Sequence, residues 1–142
     1  MIEVSAPNNI HIDKGNRIYD GVFEQSLDFR VQMEYDAAIQ FIRRIGGYNA
    51  FDAEQVIENL ECVDRMLPRN CFGSRQYDIS VGREGSPVIY LTLREFNQPY
   101  IDGLTIKCVR EEMELSGLAD ESSYEIEDFG SYRKVTFRFW WD

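Results

Sequence analysis

The chain has 142 residues, of which 25 are Asp or Glu and 15 are Lys or Arg, so its formal net charge at pH 7 is -10. This balance disfavours nucleic acid and anionic membrane surfaces as direct partners, because both are bound through clustered Lys and Arg. Hydrophobic residues make up 44% of the chain and aromatic residues 13%. That content is enough for a folded core and excludes a disordered acidic tail.

The length predicts one domain that spans residues 1–142. The sequence contains no apolar run of about 18 residues, which a membrane-spanning helix requires. Its first residues lack the basic and apolar regions of a secretion signal, and an odd number of cysteines provides no disulfide framework. We therefore expect a cytoplasmic protein, because thiols stay reduced in that compartment.

Residues 1–47 are predicted to be rich in β-structure. Two short runs between residues 10 and 23 predict strands, and residues 27–35 alternate apolar and polar side chains like a half-buried strand. A short helix is expected to follow, with Asp36 as its N-cap. It is expected to end at Gly46, because glycine adopts positive φ at little cost.

Residues 52–96 predict a longer helix followed by a β-hairpin. Asp52 is expected to cap the helix. The apolar residues at helical spacing, which are expected to face the core, are Val56, Leu60, Val63 and Leu67. The hairpin is expected to turn at residues 83–87, with Gly85 at positive φ. Its inward side chains are predicted to be Tyr77, Ile79, Val81, Ile89, Leu91 and Leu93.

Residues 104–141 predict the same order of elements. The alternation that starts at Leu104 is compatible with a strand, but residues 110–115 are strongly helix-prone, and a helix that ends at Gly117 is preferred. A second hairpin follows. Its inward side chains are predicted to be Tyr124, Ile126, Val135, Phe137, Phe139 and Trp141.

The two segments also match in sequence. Residues 77–79 (Tyr-Asp-Ile) correspond to residues 124–126 (Tyr-Glu-Ile), and residues 91–94 (Leu-Thr-Leu-Arg) correspond to residues 135–138 (Val-Thr-Phe-Arg). The match predicts a duplicated helix–strand–strand unit, although two hairpins of similar composition also resemble each other by chance. The predicted fold class is α+β, an antiparallel sheet with helices packed on one face. A domain built from such a duplication is similar in fold to small-ligand-binding domains of the gyrase-inhibitor-like type, although no sequence motif of that family is present.

No catalytic, metal or cofactor site is predicted. His11 lies near Asp13 and is a general base only under a weak-hydrolase hypothesis, because a histidine in a strand more often faces solvent. The three cysteines are Cys62, Cys71 and Cys108. They are too far apart in the chain to give the closely spaced pairs of a zinc site. Cys71 lies in a predicted loop and is the thiol expected to be exposed. The expected protein is therefore not an enzyme and has no cofactor.

Acidic residues are concentrated in two segments. Between Glu111 and Tyr132 the chain has no Lys or Arg, and a second group that includes Asp64 lies on the longer predicted helix. Because both groups fall in the matched segments, we expect one pseudo-symmetric acidic surface that attracts a basic partner. The alternative is a solvated surface that keeps the protein soluble. The predicted partner-binding residues are Glu54, Glu58, Glu61, Glu111, Glu112, Glu114, Asp120, Glu121, Tyr124, Glu125, Glu127, Asp128 and Tyr132.

The preferred hypothesis is an acidic inhibitor or adaptor that docks on a basic, nucleic-acid-handling protein and blocks it. Phage-encoded anti-CRISPR, anti-restriction and toxin-immunity proteins are similar to it in charge and size alone. The first alternative is a small-molecule-binding domain with a pocket where the two units meet, near Arg94 or Arg138. The second is a weak hydrolase. A homodimer through a free sheet edge is compatible with each hypothesis.

Overall fold

The computed structural model describes residues 2–4, 28–96 and 101–142. Its helices are α1 (Tyr35–Ile45), α2 (Ala53–Met66) and α3 (Gly103–Glu111), and α3 continues into a π-helical turn (Glu112–Ser116). Its strands are β1 (Ile2–Val4), β2 (Phe29–Met33), β3 (Gly47–Tyr48), β4 (Phe51–Asp52), β5 (Tyr77–Arg83), β6 (Pro87–Phe96), β7 (Glu121–Asp128) and β8 (Tyr132–Trp140). No helix in these described ranges is long and apolar enough to cross a membrane.

The described strands form a six-stranded sheet in the order β1-β2-β5-β6-β8-β7, and β3 and β4 form a separate hairpin. β1 is parallel to β2, and the other neighbouring strands in the sheet are antiparallel. α1 packs against α2 and β5, while α2 packs against the π-helical turn. The predicted α+β class, with an antiparallel sheet and helices on one face, is confirmed.

The core lies between the helices and the sheet face that they cover. Eight of the predicted inward residues of the central strands are at most 2% exposed, and they are Ile79, Val81, Ile89, Leu91, Leu93, Val135, Phe137 and Phe139. Tyr77, also predicted to face inward, is half-buried and packs against this core. The helices complete the core with Phe41, Ile42 and Ile45 of α1 and Val56, Leu60 and Val63 of α2. Each fully buried side chain of this kind contributes about 1.5–3 kcal/mol relative to an exposed one. The opposite face of the sheet, here called the open face, carries the polar residues of the same strands.

Two element boundaries differ from the predictions. β2 ends before Tyr35, which begins α1, so the N-cap is Glu34 and not Asp36. Asp36 lies in the first helical turn, where its negative charge favours the helix dipole. The helix does end at Gly46, whose φ is 71°. The strands predicted between residues 10 and 23 lie outside the described residues.

Local signals in the next helix and hairpin are confirmed. Asp52 caps α2, because its side chain accepts hydrogen bonds from the backbone N–H groups of Glu54 (3.1 Å) and Gln55 (3.4 Å). Leu67 ends the helix and is buried. In the turn between β5 and β6, Gly85 has a φ of 76°, as expected.

The ambiguous segment before the second hairpin is helical, as preferred. Asp102 caps α3 by accepting a hydrogen bond from the backbone N–H of Thr105 at 2.8 Å. The helix widens into the π-helical turn and stops at Gly117. A Cβ at this glycine would lie 2.8 Å from the carbonyl oxygen of Met113 and 3.1 Å from the Oδ1 of Asn59. Glycine therefore allows the end of this helix to approach α2 closely.

The sheet register agrees with the predicted repeat. β6 and β8 pair at its centre with Thr92 opposite Thr136, which are corresponding residues of the two segments. The register on either side is symmetric, with Leu91 opposite Phe137 and Leu93 opposite Val135. A pseudo-two-fold axis through the threonine pair therefore relates the hairpin β5-β6 to the hairpin β7-β8, and a helix precedes each hairpin in the chain. A common origin of the two units stays a prediction.

Gly82 of β5 pairs with Arg30 of β2 at very close range. A Cβ at Gly82 would overlap the carbonyl oxygen of Phe29 and lie 2.8 Å from the Cα of Arg30. We expect Gly82→Ala to lower the free energy of unfolding by about 1–3 kcal/mol in urea denaturation, because backbone atoms must separate. Gly103→Ala is the matched control, because nothing lies within 4 Å of its Cβ. The control is expected to be neutral or stabilising by about 0.4–1 kcal/mol, and an equal loss in both variants would contradict the explanation.

Candidate functional site

The predicted partner-binding residues divide between the two faces of the edge strand β7. Successive side chains of a strand point to opposite faces. Glu125 pairs with Thr136 and lies on the open face, whereas Tyr124 pairs with buried Phe137 and lies on the helix side. The open face also receives Glu121, Ser123 and Glu127, and the helix side also receives Ser122, Ile126 and Asp128. The predicted set is therefore not one continuous surface.

Three glutamates line the open face of β7. Glu121 lies 3.2 Å from the guanidinium of Arg138, and Glu127 lies 3.9 Å from the ammonium of Lys134. Glu125 lies between them and is exposed, and no ion pair of Glu125 occurs among the described residues. This row has more negative than positive charge available to a partner.

Two apolar side chains on the helix side of β7 are more exposed than expected. Tyr124 and Ile126 were predicted to face inward, and they do lie on the helix side, but they are 45% and 43% exposed. The predicted inward orientation is confirmed, but the two side chains are not buried, because β7 is an edge strand of the described sheet and the helical layer covers it incompletely. Arg110 of α3 reaches Tyr124, with 5.5 Å between its guanidinium carbon and the ring centroid.

A groove of about 230 Å³ separates β7 from α3 on this side. Glu111 and Glu114 line it together with Tyr124. Glu111 lies 3.7 Å from Lys107, and Glu114 lies 3.7 Å from Arg110, both one helical turn earlier in the chain. Such exposed pairs contribute about 0–1 kcal/mol each, so these carboxylates are available to a partner.

Four other predicted residues make contacts within the protein. Glu112 accepts a hydrogen bond from Asn59, which is 1% exposed, and so joins the π-helical turn to α2. Asp120 accepts from the backbone N–H of Asp142 at 2.7 Å, and Asp128 accepts from that of Gly130 at 2.8 Å. Tyr132 is half-buried and stacks on Phe129 and Phe96, with ring centroids 4.9 and 5.3 Å away.

The acidic residues of α2 lie apart from the row on β7. Glu54, Glu58 and Glu61 are exposed on the helical layer, and Glu54 lies 3.3 Å from Arg43. The open-face glutamates of β7 lie on the other side of the sheet. The expectation of one pseudo-symmetric acidic surface is therefore wrong for the open-face glutamates of β7, because the sheet separates them from α2. Glu111 and Glu114 lie on the helical side of the sheet, as α2 does, and for them the expectation stays a prediction.

The sequence prediction also placed Asp64 on the acidic helix face, but the structure turns it inward. Asp64 is 8% exposed and accepts hydrogen bonds from Arg69 (2.7 Å), Arg75 (2.8 Å) and the Tyr77 hydroxyl (2.6 Å). Burial alone would raise the pKa of Asp64, but the hydrogen bonds from Arg75 and Tyr77 and the charges of both arginines outweigh burial and lower it. Burial and the neighbouring carboxylate raise the pKa of Tyr77.

This cluster borders a cleft of about 1150 Å³ between α1 and the loop after α2. The Asp64 carboxylate already accepts hydrogen bonds from Arg69, Arg75 and Tyr77, so it is a poor general base. Arg69 also donates to the carbonyl of Gly73 at 2.8 Å, and Arg75 stacks on Tyr35 with 3.8 Å between its guanidinium carbon and the ring centroid. The cluster therefore holds the loop in place. The loop exposes Cys71, as predicted, and Phe72, which is 89% exposed.

The pocket predicted at the junction of the two units is an open depression of about 290 Å³ on the open face. Thr92, Thr136 and Arg94 are among the residues that line it. Both arginines that the hypothesis named are held by carboxylates: Arg94 lies 2.8 Å from Asp78, and Arg138 lies 2.9 Å from Glu84. Small-molecule binding stays a prediction for this depression.

The described residues contain no group of three or more His, Cys, Asp or Glu side chains that could hold a metal ion. His11, the base in the weak-hydrolase hypothesis, lies outside those residues. One surface that combines exposed charge with exposed apolar groups is β7 with the adjoining side of α3. Comparison with protein-family models, curated protein sequences and solved structures finds no match to this chain.

Proposed function

We propose that this chain is an acidic inhibitor or adaptor that docks on a basic, nucleic-acid-handling protein. The docking site is the β7 edge surface, defined as Glu111, Glu114, Glu121, Tyr124, Glu125, Ile126 and Glu127. One observation carries the proposal: an edge strand presents exposed carboxylates on one side and two exposed apolar side chains on the other.

Charge and apolar area have different roles in this proposal. A row of carboxylates creates a negative field that speeds encounter with a basic surface and disfavours acidic partners. Apolar and aromatic side chains at the centre of an interface supply most of the affinity once they are desolvated. Tyr124 and Ile126 are 45% and 43% exposed, so a partner has this area to bury. Carboxylates bound to the partner's Lys and Arg would compete with nucleic acid for the same cations.

The partner is to be isolated by capture on the immobilised chain at low salt. Captured proteins are identified, purified and tested one by one for direct binding. The proposal expects a basic protein that is released at high salt and that nucleic acid displaces from the chain. A partner that is acidic, or that binds this chain and nucleic acid at the same time without competition, would contradict it.

Charge reversal on β7 tests the site itself. We expect Glu125→Lys with Glu127→Lys to weaken partner binding by about tenfold or more at low salt and to flatten the salt dependence, because two attractive charges become repulsive. Glu58→Lys with Glu61→Lys on α2 makes the same change in net charge on the helical layer and is the matched control. Dissociation constants are measured across a salt series. Equal losses in the two double variants would mean that net charge alone, and not β7, controls binding.

A further inference from the structure

We infer that the partner contributes an extended segment in which Lys or Arg alternates with apolar residues, and that this segment pairs with β7 as an added strand. The inference rests on the proposed function and specifies how the partner is bound. Strand addition to an exposed sheet edge is a common mode of peptide recognition, in which main-chain hydrogen bonds give affinity and alternate side chains give specificity.

The backbone of β7 provides the first part of the argument. Its eight residues pair with β8 on one side, and no described strand pairs with its other side. Near the start of β7 the carbonyl oxygen of Ser122 accepts a hydrogen bond from Arg110 at 3.0 Å. Beyond this residue the edge presents a row of backbone N–H and C=O groups that another chain can pair with. The position of β7 at the end of the sheet therefore supplies a template for an extended peptide.

The side chains of β7 specify the pattern of the added strand. Residues directly opposite each other in paired strands lie on the same face and contact each other. A strand beside β7 would therefore place one set of its side chains against Glu121, Glu125 and Glu127 on the open face. Its other set would cover Tyr124 and Ile126 on the helix side. Basic residues suit the first set and apolar residues suit the second.

The same charges disfavour pairing between two copies of this chain. In an antiparallel β7–β7 pair, a two-fold axis at Ser123 would place Glu121 opposite Glu125, and an axis at Tyr124 would place Glu121 opposite Glu127. An axis at Glu125 would place that residue opposite its own copy, and an axis at Ile126 would place Glu125 opposite Glu127. Each of these registers brings like charges together, which is destabilising. A basic strand meets no such repulsion.

Synthetic peptides as long as the eight residues of β7 test this inference. The probe alternates Lys and Val, and the control has the same composition with its Lys and Val in two separate blocks. We expect the alternating peptide to bind about tenfold more tightly at low salt and to slow hydrogen exchange of the β7 amides. Two further peptides carry backbone N-methyl groups at every second residue, one at the odd and one at the even positions. One of them is expected to lose binding and the other to keep it, because only alternate N–H groups of an added strand face β7.

The variants separate this inference from the proposed function. Tyr124→Ser with Ile126→Ser is expected to weaken the alternating peptide and to leave the block peptide unchanged. Equal affinity of the two peptides, or equal effects of the two N-methylation patterns, would overturn strand addition. The acidic docking surface would then still stand if Glu125→Lys with Glu127→Lys weakens the isolated partner. If the double variant binds the partner as tightly as the wild type does, while the alternating peptide pairs with β7, the proposed function fails instead.

Discussion

Glu95→Ala is expected to lower the free energy of unfolding by about 3–5 kcal/mol, because it breaks a buried ion pair. The Glu95 side chain is 0% exposed and accepts a hydrogen bond from Arg133 Nε at 2.7 Å and from the backbone N–H of Ile101 at 2.9 Å. Arg133 also donates to the carbonyl of Ile101 at 3.1 Å. The pair thus joins β6 and β8 to the chain that enters α3, and its loss leaves a partly buried guanidinium without its carboxylate.

Urea denaturation of three variants measures this contribution. Glu95→Gln keeps one acceptor in the same shape and is expected to lose less than Glu95→Ala, about 1–3 kcal/mol. Glu54→Ala is the control, because its pair with Arg43 joins side chains that are 73% and 46% exposed. The control is expected to change stability by about 0–1 kcal/mol. A loss in Glu95→Ala no larger than in Glu54→Ala would show that the buried pair is unimportant.

Asp64→Asn is expected to cost about 3 kcal/mol at pH 7, because two arginines and the Tyr77 hydroxyl lose their charged acceptor. The folded state lowers the pKa of Asp64 below its ordinary value of 3.8. A group of this kind stabilises the fold above its unfolded pKa, and that stabilisation is lost as the pH falls through its folded pKa. The stability of the wild-type protein should therefore fall more steeply below about pH 4 than that of the variant.

Urea denaturation at pH 7 and at several values below pH 4 tests this expectation. Asp78→Asn is the matched control, because it makes the same substitution in an exposed ion pair. The side chains of Asp78 and Arg94 are 44% and 43% exposed. The control is expected to lose about 0–1 kcal/mol. A constant difference between wild type and Asp64→Asn at every pH would contradict the pKa argument, and a loss equal to the control would contradict the role of burial.

Local features of the fold were predictable from the sequence because they depend on near neighbours in the chain. Period-two alternation identified β5, β6 and β8, and Asp52 predicted the start of α2 from a contact within its own first turn. The repeat predicted a symmetric sheet, and the register about Thr92 and Thr136 agrees with it. The boundary at Tyr35 was wrong because alternation and helix signals overlap there. The ring of Tyr35 stacks on Arg75, a distant residue that the local pattern does not contain.

The sequence by itself determined the fold class and the sign of the charge. Only the tertiary structure decided which carboxylates stay exposed, because that depends on cations and amides brought from elsewhere in the chain. Asp64, Glu95 and Glu112 are held by Arg75, Arg133 and Asn59, respectively. Strand order decided the rest. It placed β7 at an edge of the described sheet, where one side of the strand pairs with no other described strand. There Tyr124 and Ile126 stay half-exposed, although alternation alone would assign them to the core.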